Sequence, residues 1–95
     1  AGRGRGRGET VLVADDEPSV RELAAQTVRR LGYEVETADD GAAAVELMAA
    51  APERYAAALL DVTMPAMSGP DALSEMRRVR PDLPAVFMSG YTADD

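Results

Sequence analysis

Three short apolar runs punctuate the chain: Thr10–Ala14 (TVLVA), Ala57–Leu60 (AALL) and Ala85–Met88 (AVFM). Each reads as a strand, Thr10–Ala14 as a buried one, and Ala57–Leu60, too short for a helix of ordinary length and without period-two alternation, as one covered on both faces. A fourth stretch, Tyr33–Thr37, does alternate, with Glu34 and Glu36 directed outward. That pattern suits a strand at the edge of a sheet.

Between the runs the apolar period lengthens to that of a helix. Pro18 suits a first helical turn, and Val20, Leu23, Ala24, Thr27, Val28 and Leu31 then recur on one face until Gly32 supplies the stop. Asp39 and Asp40 offer capping oxygens to an Ala-rich helix over Ala42–Ala50, with Val45, Met48 and Ala49 for its inner face and Pro52 beyond it. Ser68-Gly69-Pro70-Asp71 starts a third helix, continued by Ala72, Leu73, Met76 and Val79. Arg77, Arg78 and Arg80 lie near its end, where solvated cations complement the helix dipole.

The order is therefore β-α-β-α-β-α-β with short connections. It predicts an α/β fold in which right-handed crossovers place helices on both faces of a doubly wound parallel sheet of four strands and three helices. The 95 residues, 46% hydrophobic, suffice for one small domain with a modest core. Residues 1–8 alternate Gly with Arg3, Arg5 and Arg7, and read as a flexible linker to an upstream domain rather than as a nucleic-acid-binding repeat, since no aromatic accompanies them. The domain is expected to span 9–95.

Composition removes several chemistries. With neither cysteine nor histidine, disulfides, thiol catalysis and zinc are improbable. No run is long enough to cross a bilayer and no signal-peptide pattern opens the chain, so a soluble cytoplasmic protein is expected. The formal charge of −7 disfavours direct nucleic-acid binding and favours a cation as ligand. All ten bases are arginine.

Three strands end in polar residues: Asp15-Asp16, Asp61 and Ser89. In a parallel sheet the carboxyl ends share one rim, where ligands bind. A cap or turn role competes at each position taken singly. Together, carboxylates crowded there require a raised pKa or a bound cation, and an all-oxygen donor set suits Mg2+ or Mn2+. A carboxylate facing such an ion can act as nucleophile toward a phosphoryl group, and Asp61 is best placed. The Ser89 hydroxyl and nearby N–H groups could hold the other phosphoryl oxygens, with Gly90 permitting close approach.

From Glu9 onward the chain resembles the receiver domain of two-component response regulators and hybrid histidine kinases, a flavodoxin-like fold. VLVADDE is similar to the family's first strand and acidic pair, LLDVTMPAMSG to its phosphoacceptor strand and loop, and VFMSGY to its switch strand. The resemblance implies that Asp61 is phosphorylated and that Asp16 ligates Mg2+ directly, with Asp15 supporting the ion largely through water. It further implies that Thr63 contributes its backbone carbonyl, and that Ser89 and Gly90 contact the phosphoryl group. It implies as partner a phosphohistidine on a histidine kinase or phosphotransfer domain. Ala66 stands where the family often has glycine or a polar residue, and little consequence is expected.

The same resemblance implies five βα units, of which this sequence carries four strands and three helices. The family's phosphoryl-pairing lysine has no counterpart, because the chain contains no lysine. The fourth strand is then expected to present an apolar edge that invites a homodimer. A phosphorylation-incompetent interaction module is thus an alternative. More remote is a Mg-dependent phosphohydrolase, for which Asp61-Val62-Thr63 lacks a second aspartate two residues on.

Overall fold

The computed structural model describes residues 9–88. Seven elements alternate along them: β1 (Thr10–Ala14), α1 (Pro18–Arg30), β2 (Glu34–Ala38), α2 (Gly41–Ala50), β3 (Tyr55–Asp61), α3 (Gly69–Val79) and β4 (Ala85–Met88). The strands form one parallel sheet in the order β2-β1-β3-β4. The chain thus winds outward from β1 to β2 and then back across to β3 and β4. This is the doubly wound arrangement, and its reversal between β1 and β3 opens a crevice at their carboxyl ends.

Local chemistry fixes the helix ends. Pro18 occupies the first turn of α1, and Gly32 follows its end at φ 99°, a left-handed conformation that favours glycine. The Asp40 carboxylate accepts the Ala43 N–H at 2.8 Å to cap α2, and the Ser68 hydroxyl accepts that of Asp71 at 3.2 Å to cap α3.

The core lies on the α2/α3 face of the sheet, where Leu12, Met48, Leu60, Met76 and Leu83 are completely buried. Each contributes on the order of 1.5–3 kcal/mol by leaving water. The opposite face is thinner. There α1 covers the sheet only in part, and Val11, Ala57, Leu59 and Val86 line a shallow trough with Val28 and Leu31. Ala57 and Leu59 are only half-buried, so β3 is not covered on both faces as its apolar run suggests.

Several inner faces also differ from the sequence pattern. In α1 the inward positions are Arg21, Ala24, Ala25 and Val28, while Leu23 and Thr27 face solvent. Small Ala25 allows close approach to the sheet, which outweighs the larger apolar area of Leu23. In α2, Gly41 and Ala44 are buried with Met48, and Ala49 is exposed. In α3, Val79 is exposed.

Two polar expectations change as well. Glu36 does not point freely outward: it accepts the hydroxyl of buried Tyr55 at 3.1 Å and pairs with Arg54 at 2.9 Å. Of the arginines at the end of α3, Arg78 is solvated as expected, while Arg77 and Arg80 are not. Arg77 donates twice to the Leu83 carbonyl, and Arg80 donates to the carbonyls of Pro52 and Tyr55 at 2.9 and 2.6 Å. Their guanidinium forks tie together three segments of chain through backbone carbonyls.

β4 forms one edge and β2 the other. Along β4, Val86 is 60% exposed toward the α1 side and Phe87 is 42% exposed toward the α3 side, so both flanks of this edge are apolar and open. No helix among the described residues is long and apolar enough to cross a membrane.

Candidate metal centre

The strand register brings the acidic residues together. Ala14 pairs with Leu60, so Asp15 and Asp61 emerge side by side from β1 and β3. Carboxylate oxygens of Asp15, Asp16 and Asp61 all lie within 4.8 Å of one another. Asp15 and Asp61 are buried, while Asp16 faces solvent at the mouth. Three anionic oxygen donors at this spacing, two inside and one at the entrance, fit a hard divalent cation such as Mg2+.

The protein fixes Asp15 at every polar atom but one. Its N–H donates to the Ala38 carbonyl at 3.2 Å, and its Oδ1 accepts the Glu17 N–H at 2.9 Å. Its carbonyl accepts Arg21 Nη1 at 2.8 Å. Oδ2 is the oxygen left to turn toward a ligand.

Asp61 carries the electrostatic load. Burial raises its pKa above the ordinary 3.8, the neighbouring Asp15 charge raises it further, a backbone hydrogen bond from Thr63 opposes both, and Asp16 adds a smaller upward push. A cation would relieve the burial and repulsion at once.

Two glycines shape the loop that follows. Gly69 donates to the Val62 carbonyl at 2.8 Å, and a Cβ there would collide with the Asp61 carbonyl oxygen. At Gly41 a Cβ would stand 2.9 Å from the Met67 carbonyl. The start of α2 is thus packed against the loop at Met67 and the start of α3 against the end of β3, and within the loop Ala66 is left-handed at φ 69°. Sequence reasoning missed these contacts and that of Arg21. The available signals were a glycine opening an otherwise Ala-rich helix and a cation in the first turns of α1, where the helix dipole disfavours it.

Met88, the last described residue, is registered with Asp61, and the Val62 N–H donates to its carbonyl at 3.0 Å. Ser89 and Gly90 lie outside the described residues, as do the Arg/Gly residues 1–8. The hollow on the surface between α3 and Phe87 is lined by none of the three aspartates.

Comparison with known proteins now decides the family. The model of the response regulator receiver domain matches residues 11–95. The chain belongs to that family. It is 38% identical over 85 residues to the sensor kinase CckA of Brucella abortus, covering 90% of this chain and 9% of that protein. It is also 38% identical over 91 residues to the probable transcriptional regulatory protein TcrX of Mycobacterium tuberculosis, covering 96% of this chain and 38% of the relative. The chain thus spans well under half the length of either. Among solved structures, it superposes with TM-score 0.80 and 32% identity on the response regulator TrrA of Thermotoga maritima in complex with Mg(2+)-BeF, covering 88% of this chain and 71% of that one. The receiver domain is a phosphoacceptor module of two-component signalling, and the four-stranded parallel sheet with its acidic corner has the family's architecture.

Proposed function

We propose that this domain accepts a phosphoryl group onto an Asp61 carboxylate oxygen from a phosphohistidine on a sensor histidine kinase or histidine phosphotransfer domain. The observation that carries the assignment is the convergence of the buried Asp61 with Asp15 and Asp16. In the transfer a new O–P bond forms at Asp61 as the P–N bond to the donor imidazole breaks, and the imidazole departs with its electron pair and takes up a proton. Bound Mg2+ would neutralise charge on the transferring oxygens. Asp16, Asp61 and the Thr63 carbonyl would hold it directly, with Asp15 acting largely through water; Mn2+ would suit the same oxygens. Ser89 and Gly90 would receive the phosphoryl oxygens.

The domain itself is not an enzyme in this reading. Its parent is a hybrid histidine kinase or regulator of the cytoplasm, with residues 1–8 as a linker, and neither a membrane nor a nucleic acid is a direct partner. The test is mass spectrometry after incubation with Mg2+ and acetyl phosphate. Wild type should gain one phosphoryl group and Asp61→Asn none; a folded wild-type sample that gains nothing overturns the assignment.

The exposed Val86 and Phe87 on edge strand β4 support a second reading, a homodimer through that edge. Sedimentation with and without beryllofluoride separates the two. An edge dimer is indifferent to the phosphoryl analogue and is dissociated by Phe87→Asp.

A further inference from the structure

The arginine that folds back from α1 onto the acidic corner has no place in the phosphoryl-acceptor scheme. Arg21 sits in the first turns of α1, with its N–H bonded to the Glu17 carbonyl at 2.9 Å. A cation at a helix N-terminus is opposed by the helix dipole, and the nearest acids, Asp15, Asp16 and the N-cap Glu17, precede the first turn of α1 rather than occupying it. Its side chain is nevertheless half-buried and turned toward the rim, where Nη1 donates to the Asp15 carbonyl at 2.8 Å.

That carbonyl belongs to the peptide unit joining Asp15 to Asp16. Peptide planarity makes its C=O and the Asp16 N–H move as one body. Holding the oxygen therefore sets the direction in which the chain enters Asp16, and so where the Asp16 carboxylate points. The N–H and Oδ1 of Asp15 are held by backbone groups of Ala38 and Glu17. Arg21 supplies the one side-chain bond to Asp15 among those described.

We propose that Arg21 is a positioning residue for the metal centre, locking the Asp15–Asp16 peptide so that the two carboxylates converge with Asp61. This rests on the Mg2+ reading above but makes an opposite prediction from simple electrostatics. A cation acting only through its charge repels Mg2+, so its removal would tighten metal binding. A cation acting through position weakens binding when lost, by about tenfold, as for other groups that orient metal ligands.

The experiment uses two variants of this chain. Arg21→Met keeps the apolar stem and removes both donor and charge, while Arg21→Lys keeps a charged donor. Mg2+ affinity is read by titration of backbone amide resonances. Arg21→Met should bind about tenfold more weakly and Arg21→Lys should recover most of the loss; a Met variant that binds as tightly as wild type, or more tightly, overturns the proposal.

A second readout needs no metal. In Mg-free protein, the Glu17 N–H bonded to Asp15 Oδ1 should exchange with solvent faster in Arg21→Met and at the wild-type rate in Arg21→Lys, while amides late in α1 are unchanged. An unaltered Glu17 amide also overturns the proposal. Failure of wild type to bind Mg2+ would instead remove the metal reading and leave this exchange measurement to decide the role of Arg21.

Discussion

Replacing Asp61 by Asn should make the metal-free domain more stable, not less. Asp61 is only 6% exposed, and its carboxylate has an oxygen within 4.8 Å of oxygens from both Asp15 and Asp16. At that separation and an effective dielectric of 20, each fully ionised pair repels by about 3.5 kcal/mol. Solvent around the exposed Asp16 and partial protonation of Asp61 reduce the sum, leaving a net relief of about 1–2 kcal/mol. Asn retains an oxygen to accept the Thr63 N–H, so that bond need not be lost. The pH dependence has a definite sign. The Asp61 pKa lies above 3.8, foremost because of burial and next because of Asp15, so ionising it opposes folding. The penalty is absent below 3.8, develops as pH rises toward the raised native value, and is complete above that value. The advantage of Asn should therefore vanish at acid pH below the ordinary carboxylate value of 3.8 and grow to its full size as pH rises through the raised native value. For a domain of this size each kcal/mol moves Tm by about 4–8 °C. Circular-dichroism melts in EDTA across that pH range measure the effect. Saturating Mg2+ should stabilise wild type more than the variant, because binding to the folded state adds RT ln(1 + [L]/Kd). An Asn variant that melts below wild type in EDTA at neutral pH would refute the picture of three unrelieved carboxylates.

Gly69→Ala should cost about 3 kcal/mol or displace the loop, since a Cβ collides with backbone at Asp61 rather than with a flexible side chain; the urea midpoint and Mg2+ affinity should fall together, and unchanged values would exclude the clash. Ala66→Gly should gain about 0.5 kcal/mol, because relief of the left-handed φ of 69° slightly exceeds the added freedom of the unfolded chain; a lower urea midpoint would contradict it. Arg80→Met should lose about 2 kcal/mol by orphaning the Pro52 and Tyr55 carbonyls while keeping the stem; a loss below about 0.5 kcal/mol would mean that water satisfies them.

The strands and the acidic corner were legible because each depends on a run or a terminus. β1 and β4 match their apolar runs residue for residue, and the three aspartates meet because parallel strands must end on one rim. Helix faces were less legible. Hydrophobicity placed Leu23 inside α1, but the sheet approaches closely enough that Ala25 is favoured and Leu23 is left 63% exposed. Arg77 and Arg80 have the composition of a solvated helix end, and only the path of the chain through Pro52, Tyr55 and Leu83 reveals carbonyls for them to bind. The glycine contacts were hidden for the same reason. A missing Cβ has meaning only against a neighbour far away in sequence, such as Met67 for Gly41.

β4 enters both proposed readings. It is a four-residue strand that among the described residues is bonded on one side only, to β3, and its last residue is registered with Asp61. Short edge strands with exposed apolar flanks open more readily than central ones, because fewer buried contacts hold them. The Met88 carbonyl that accepts the Val62 N–H beside Asp61 is therefore carried by a lightly held strand. An edge dimer would draw instead on the side chains of Val86 and Phe87, so the two readings use different parts of β4 and can be tested separately.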